Sequence, residues 1–151
     1  MLFRSRAGAK TALIVTEGFR DSVEMAYENR FEQYDINIDR PAPLVPRYLR
    51  WPVTERVSAR GAVLRPLDVS GVEALVPAIR QQGIESLAVG LIHGYANPAH
   101  EQRVAEIIRR AYPGLPISLS SEVCPEIREY ERLSTTCANA YVQPQIGRAH
   151  V

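Results

Sequence analysis

LAVGLIHGYANPAHEQRVAEIIRRAYPGLPISL, residues 87–119, reads as strand, helix, strand. Leu87 to Ile92 are apolar without alternation, the pattern of a strand buried on both faces. Asn97-Pro98 is a helix start, with asparagine as the cap and proline at the first helical position. Val104, Ile107, Ile108 and Tyr112 follow at the spacing of one helix face. Arg109 and Arg110 suit the last turn, where cations complement the helix dipole, and Pro113-Gly114 stops it. Pro116 to Leu119 then starts a second strand. Upstream, Ser70-Gly71-Val72-Glu73 has the capping-box pattern. Val72, Leu75, Val76 and Ile79 mark another helix face ending near Gly83, and Pro77 predicts a kink or a late start. Helix, strand, helix, strand over residues 70–119 implies parallel strands joined by right-handed crossovers. The expected class is α/β, a mixed or mostly parallel sheet with flanking helices.

Toward the N-terminus, residues 10–16 form a short apolar run with β-branched residues, expected as a buried strand. Glu17-Gly18-Phe19-Arg20-Asp21 turns at its carboxyl end, the edge where α/β sheets bind ligands. Asp21 or Ser22 is placed to cap a helix reaching about Asn29, with Val23, Ala26 and Tyr27 on one face. Residues 35–53 carry four prolines, so helix is disfavoured and an extended edge around Tyr48, Leu49 and Trp51 is expected. Residues 54–67 read as a hairpin turning at Ala59-Arg60-Gly61. Downstream, Pro125 suits the first turn of a helix whose face is Tyr130, Leu133, Cys137, Ala140 and Tyr141.

With 151 residues and 46% hydrophobic content, the chain has the size of one domain. A net charge of +1 gives no electrostatic reason to expect nucleic acid or an anionic membrane as partner. No apolar stretch approaches the length of a membrane span, and the first residues lack a secretion signal, so a cytoplasmic location is expected. Cys124 and Cys137 form no metal-ligand or disulfide pattern and are expected as small buried hydrophobes.

No self-sufficient catalytic motif stands in the chain. His93, at a strand's carboxyl end, has the chemistry of an acid/base, although a lone histidine is more often a packing residue. His100, in a first helical turn, is expected to be exposed. Ser120, Ser121 and Glu122 lie where a strand meets a helix, positioned to bind phosphate or carboxylate or simply to cap. Glu126, Arg128, Glu129, Glu131 and Arg132 form either a ligand site or interface, or a solvated face. The solvated face would carry the pairs Arg128–Glu131 and Glu129–Arg132. Glu17, Arg20 and Asp21 are either a binding turn or a capped, solvated one. Ser134, Thr135 and Thr136 suit an exposed helix poorly, which predicts packing against something.

GAKTALIVTEGFRD (8–21), LIHGYANPAHE (91–101) and SLSSEVCPEIREYERLSTTCANAYVQP (118–144) resemble the N-terminal region of the hydantoinase A/5-oxoprolinase family. PLVPR (43–47) and the pattern from Glu55 to Asp68 fit as well, while Cys124, Leu133 and Cys137 depart from it mildly. The resemblance implies part of an actin/sugar-kinase-like ATPase lobe. It also implies ATP-dependent attack on a small cyclic amide, a hydantoin or 5-oxoproline, whose phosphorylated amide oxygen makes the ring carbon open to water. Relatives that are subunits of ATP-dependent ketone carboxylases leave the reaction type open, and a noncatalytic assembly module is the alternative of another class. ATP and Mg²⁺ are the implied cofactors, and a second subunit or domain of the same enzyme system is the implied partner. The family's glycine-rich phosphate motif does not occur in these residues. The residues carried forward as site candidates are Glu122, Glu126, Arg128, Glu129, Arg132 and His93 for catalysis, with Glu17 and Arg20 for cofactor binding.

Both ends have a second reading. Codons for Met1 to Ser5 and for Ile146 to Val151 can be chosen to spell a widely used sequencing adapter, in opposite orientations at the two ends. The expected division is therefore 1–5 and 146–151 as adapter scars, with 6–145 as an internal piece of the family's N-terminal domain.

Overall fold

The computed structural model describes residues 6–27 and 32–148. Four strands form one parallel sheet: β1 (Thr11–Thr16), β2 (Arg50–Val53), β5 (Ser86–Gly90) and β6 (Ile117–Leu119). Their order is β2-β1-β5-β6. Register places Leu13 beside Arg50 on one side and Ala88 on the other, and Val89 beside Leu119. Every residue of β1, β5 and β6 is buried, the polar Thr11, Thr16, Ser86 and Ser118 included, as strands covered on both faces require. Pro52 is tolerated in β2 because that strand lies at the sheet edge.

Between β2 and β5 come the antiparallel hairpin β3 (Arg56–Val57) and β4 (Val63–Arg65), then helix α2 (Val69–Gln81). Helix α3 (Ala99–Ala111) joins β5 to β6 and packs against α2. A four-residue turn of helix, α1 (Ser22–Met25), follows β1, and another, α4 (Ser120–Val123), follows β6. The long helix α5 (Glu129–Arg148) crosses the sheet, contacting β1, β5 and β6 as well as α1. Because β1 leads to β2 on one side and the chain then returns to β5 on the other, right-handed crossovers put α2 and α3 on the face opposite α1 and α5. The result is a three-layer α/β/α arrangement, the class expected from residues 70–119.

Gly90 shows how closely α5 is seated. A Cβ built on it falls 2.1 Å from a methyl of Leu133, so any larger residue at the end of β5 would have to displace that side chain. The face Leu133, Cys137, Ala140 and Tyr141 is buried as its spacing predicts, and Tyr130 is half-buried. Arg132 and Thr136 are buried with them, the packing anticipated for the Ser134–Thr136 stretch, although Thr135 is exposed.

Several boundaries differ from expectation. Asp68, not Ser70, caps α2: its carboxylate accepts from Gly71 N at 3.1 Å and Ser70 Oγ at 2.6 Å, while Glu73 is exposed. Helix α2 runs through Pro77 without interruption; Glu73 and Pro77 both face solvent, where water can reach the carbonyl that proline leaves unpaired. The helix after Asp21 ends at Met25, because Ala26 turns to a left-handed φ of 49°, so Ala26 and Tyr27 are not helical, and Asn29 lies outside the described residues. Pro125 stands in a non-helical connector between α4 and α5, with Glu126 N bonded back to Cys124 O at 2.7 Å. The cap at Asn97 shifts by one residue: Asn97 Oδ1 accepts from Ala99 N at 3.1 Å, ahead of a helix starting at Ala99.

Candidate functional site at the carboxyl edge of the sheet

The strand order reverses direction between β1 and β5, and at such a switch point the carboxyl ends of the strands leave a crevice for ligands. Its floor is closed by side chains that sequence reading leaves without a role. Thr16 Oγ1, at the end of β1, accepts from Ile92 N at 2.9 Å and donates in a short bond to Glu55 Oε1. Glu55 Oε2 lies 2.7 Å from His100 Nδ1. Glu55 is wholly buried and His100 only 13% exposed, so His100 is not the solvent-facing residue expected. The pairing spares a buried carboxylate the cost of standing alone.

Glu101, the next residue, is also fully buried. Its Oε1 accepts from Leu91 N at 2.9 Å and Ser120 Oγ at 2.5 Å; its Oε2 accepts from Ser121 N at 2.9 Å and Ser121 Oγ at 2.7 Å. One carboxylate thereby ties the end of β5 to the end of β6. The donors at the start of α4, candidates for holding a phosphate, are turned inward and occupied.

His93 sits beyond β5 with a left-handed φ of 55°. Its Nδ1 lies 2.7 Å from Val57 O, and since a carbonyl can only accept, Nδ1 carries the hydrogen. In the neutral ring Nε2 is then the basic nitrogen, and it has no hydrogen-bond partner among the described residues. The hairpin that offers Val57 O is also bonded through Gly61 O to Asn97 Nδ2 at 2.9 Å. Gly61, at a φ of 82°, forms the tight turn that brings this carbonyl round. Tyr95 meets the His93 ring edge-on at 6.0 Å, and the Arg132 guanidinium lies 5.4 Å from the Tyr95 ring centre.

Arg132 is buried and bonded to backbone carbonyls: Nη1 to Glu126 O at 2.8 Å and Nη2 to Leu91 O at 3.3 Å, while Nε is buried without a partner. The expected Glu129–Arg132 pair therefore does not form. Glu129 instead accepts from Ser22 Oγ at 3.1 Å, joining α5 to α1, and Arg128–Glu131 forms as expected at 3.4 Å on the surface. Tyr27 also bonds Glu131, holding that carboxyl below its usual range and raising the Tyr27 phenol.

The candidates thus fall into three places. His93 and Arg132 belong to one neighbourhood, joined through Tyr95. Glu122, Glu126 and Arg128 are exposed on α4 and the connector after it. Glu17 is exposed on the far side of the turn, accepting from Thr54 Oγ1 at 3.1 Å with Arg65 Nη1 at 3.6 Å. Arg20, half-buried, helps to hold the Asp21 carboxyl below its usual range, after the larger effect of the Arg47 hydrogen bond. Arg47 grips Asp21 through Nε at 2.9 Å and Nη2 at 3.1 Å; buried Arg50 bonds Glu24 at 2.6 Å. Asp21, Glu24, Arg47 and Arg50 therefore form an ionic latch on the turn after β1.

A hollow of about 710 Å³ lies between α1, residues 40–45 and α5, with Val23, Tyr27, Pro43, Tyr130 and Cys137 in its wall. None of Glu17, His93 or Glu101 lines it. Among the described residues no group of three His, Cys, Asp or Glu side chains is arranged to hold a metal ion, and no helix is long and apolar enough to cross a membrane.

Residues 2–112 match the profile of the hydantoinase/oxoprolinase N-terminal region. The caprolactamase subunit alpha of Pseudomonas jessenii is 36% identical over 145 residues, spanning 95% of this chain and 21% of that one. The crystal structure of ATP-dependent caprolactamase from Pseudomonas jessenii superposes with a TM-score of 0.91 at 35% identity, covering 98% of this chain and 22% of that chain. The nucleotide-free structure of acetone carboxylase superposes with a TM-score of 0.84 at 26% identity, covering 95% and 22%. The chain spans about a fifth of the length of these relatives. On sequence and fold together, it belongs to the hydantoinase/oxoprolinase N-terminal region family.

Proposed function

We propose that these residues are an internal part of an ATP-dependent hydrolase that opens small cyclic amides, and that they do not turn over ATP by themselves. The observation that carries the reading is the superposition on ATP-dependent caprolactamase at a TM-score of 0.91, joined to 36% sequence identity with a caprolactamase subunit. Acetone carboxylase superposes less closely, at a TM-score of 0.84, but the acetophenone carboxylase gamma subunit is 34% identical, so ketone carboxylation is the second reading. ATP with Mg²⁺ belongs to the complete protein in this reading. The described residues offer neither a metal-holding cluster nor a glycine-rich phosphate loop, so no step through either is assigned to this chain. A second subunit or domain completes the site, and the enzyme works in the cytoplasm.

Within that reading, His93 faces the completed site, and the exposed groups Glu17, Glu122, Glu126 and Arg128, which lie apart from it, are available to the subunit or domain that completes it. Arg20 and Glu129 serve through neighbours on the turn and on α1, and Arg132 holds the ends of β5 and of the connector. In the same reading, residues 1–5 and 146–151 are adapter-derived. The complete gene product, given ATP and a lactam, a hydantoin or 5-oxoproline, is expected to release ADP together with the ring-opened acid. The 151-residue chain is expected to release none. ADP release by the purified short chain, or a complete protein indifferent to every cyclic amide, contradicts the proposal.

A further inference from the structure

We infer that His93, through Nε2, is the base that accepts a proton from the attacking water, an inference that rests on the cyclic-amide reading above. Three independent features converge on this residue. It stands at the carboxyl end of β5, next to the switch point between β1 and β5. Its backbone is held at a φ of 55°, a conformation costly for a side chain with a Cβ and kept where surroundings over-determine it. Here they do: Ala96 N and Asn97 N both bond to His93 O, and Gly94 N bonds to Leu91 O. Finally, Val57 O fixes the hydrogen on Nδ1 and so leaves the lone pair on Nε2 of a half-buried ring.

The proton balance is simple. As water oxygen bonds to the ring carbonyl carbon, its proton passes to Nε2 and the imidazole becomes an imidazolium. As the ring C–N bond breaks, that proton goes to the departing nitrogen, and the neutral base is restored. ATP, acting at parts of the protein beyond these residues, first places its γ-phosphoryl group on the carbonyl oxygen and leaves as ADP. Breaking the C–N bond therefore leaves an open-chain acyl phosphate. A second water attacking its acyl carbon gives the carboxylic acid and releases inorganic phosphate, which keeps the former carbonyl oxygen. Tyr95 at the ring edge and Arg132 beyond it position the imidazole; neither carries the proton.

The test uses the complete enzyme with His93→Asn. Asparagine tolerates the left-handed backbone and keeps an N–H donor near Val57 O, so folding is preserved while the base is lost. The expected result is a fall in kcat of about 10²–10⁴-fold, with KM for the cyclic amide little changed and the acidic limb of the pH–rate profile removed. A kcat within about threefold of wild type with an unchanged pH profile overturns the inference. A second measurement does not depend on which substrate is right: acylation of histidines by diethyl pyrocarbonate, followed by peptide mass spectrometry. Labelling of His93 that saturating substrate suppresses supports the inference, and a His93 that never labels overturns it. If only a ketone with bicarbonate drives ADP release, the cyclic-amide reading fails, and with it the water-activating role.

Discussion

Glu101 and Ser121 meet twice: Glu101 Oε2 accepts from the backbone N at 2.9 Å and from Oγ at 2.7 Å of the same serine. With Leu91 N and Ser120 Oγ on the other oxygen, a buried carboxylate is satisfied by four donors drawn from the ends of two adjacent strands. Gly94 is part of the same fit, since a Cβ there would lie 2.5 Å from Glu101 Oε1.

Replacing Glu101 with glutamine puts an amide donor among those four donors. The expected cost is roughly 3 kcal/mol, because buried polar groups lose their acceptor and face a donor instead. Urea denaturation checks it: the midpoint falls while the slope is unchanged. An unaltered midpoint would show that the carboxylate is dispensable.

At Gly90 the obstacle is steric. Gly90→Ala drives a methyl against Leu133, and overpacking of this kind costs typically about 1–3 kcal/mol. Gly114→Ala, where a Cβ meets nothing within 4 Å, serves as the control. Thermal unfolding of the two variants is expected to separate them, with only Gly90→Ala lowered.

The two cysteines should differ in reactivity. Burial pushes the Cys137 thiol up to about 12, far from the thiolate that reacts, whereas Cys124 is only half-buried. Titration with a thiol-specific disulfide reagent at pH 8 is expected to find one reactive thiol in the native protein and two after denaturation. Two fast equivalents in the native protein would contradict the packing of α5.

Acid should loosen the turn after β1. The Arg47 hydrogen bond holds the Asp21 carboxyl below its ordinary value of 3.8, and hydrogen bonds from Ser70 and Gly71 do the same for Asp68. A carboxyl with a lowered folded value contributes stability that is complete above about 3.8 and is lost as pH falls through the folded value. Both groups are exposed, so the effect is small and salt-sensitive. Arg47→Ala is expected to reduce the loss of stability between pH 5 and pH 2 that thermal unfolding measures. A variant with the same acid dependence as wild type would remove Asp21 from that account.

The layer architecture was legible because it is written in local patterns. The apolar runs at 12–15 and 87–89 lie in buried strands, and the spacing of Val104, Ile107 and Ile108 is the buried face of α3. The candidate site was less legible, since its organisation is long-range. Glu101 sits 10 and 20 residues from the groups it binds, and Glu55 sits 45 from His100, so no spacing within one element announces either pair. For Arg132 the local spacing is equally compatible with a ligand site, an interface and a solvated face. What distinguishes it is the carbonyl of Leu91, 41 residues away, which draws the guanidinium inward. Helix ends failed for a related reason: Asp68 and Ser70 are both good caps, and only the fold selects between them.

The most direct test of the account follows an oxygen atom. A cyclic amide carrying ¹⁸O in its carbonyl is given to the complete enzyme with ATP, and the inorganic phosphate is analysed by mass spectrometry. If the ring opens by ATP-dependent activation at that oxygen, ¹⁸O is transferred to phosphate as the ring-opened acid accumulates. A label that stays wholly in the product carboxylate, or ADP release driven by a ketone and bicarbonate while no ring opens, contradicts ring opening through activation of the amide oxygen.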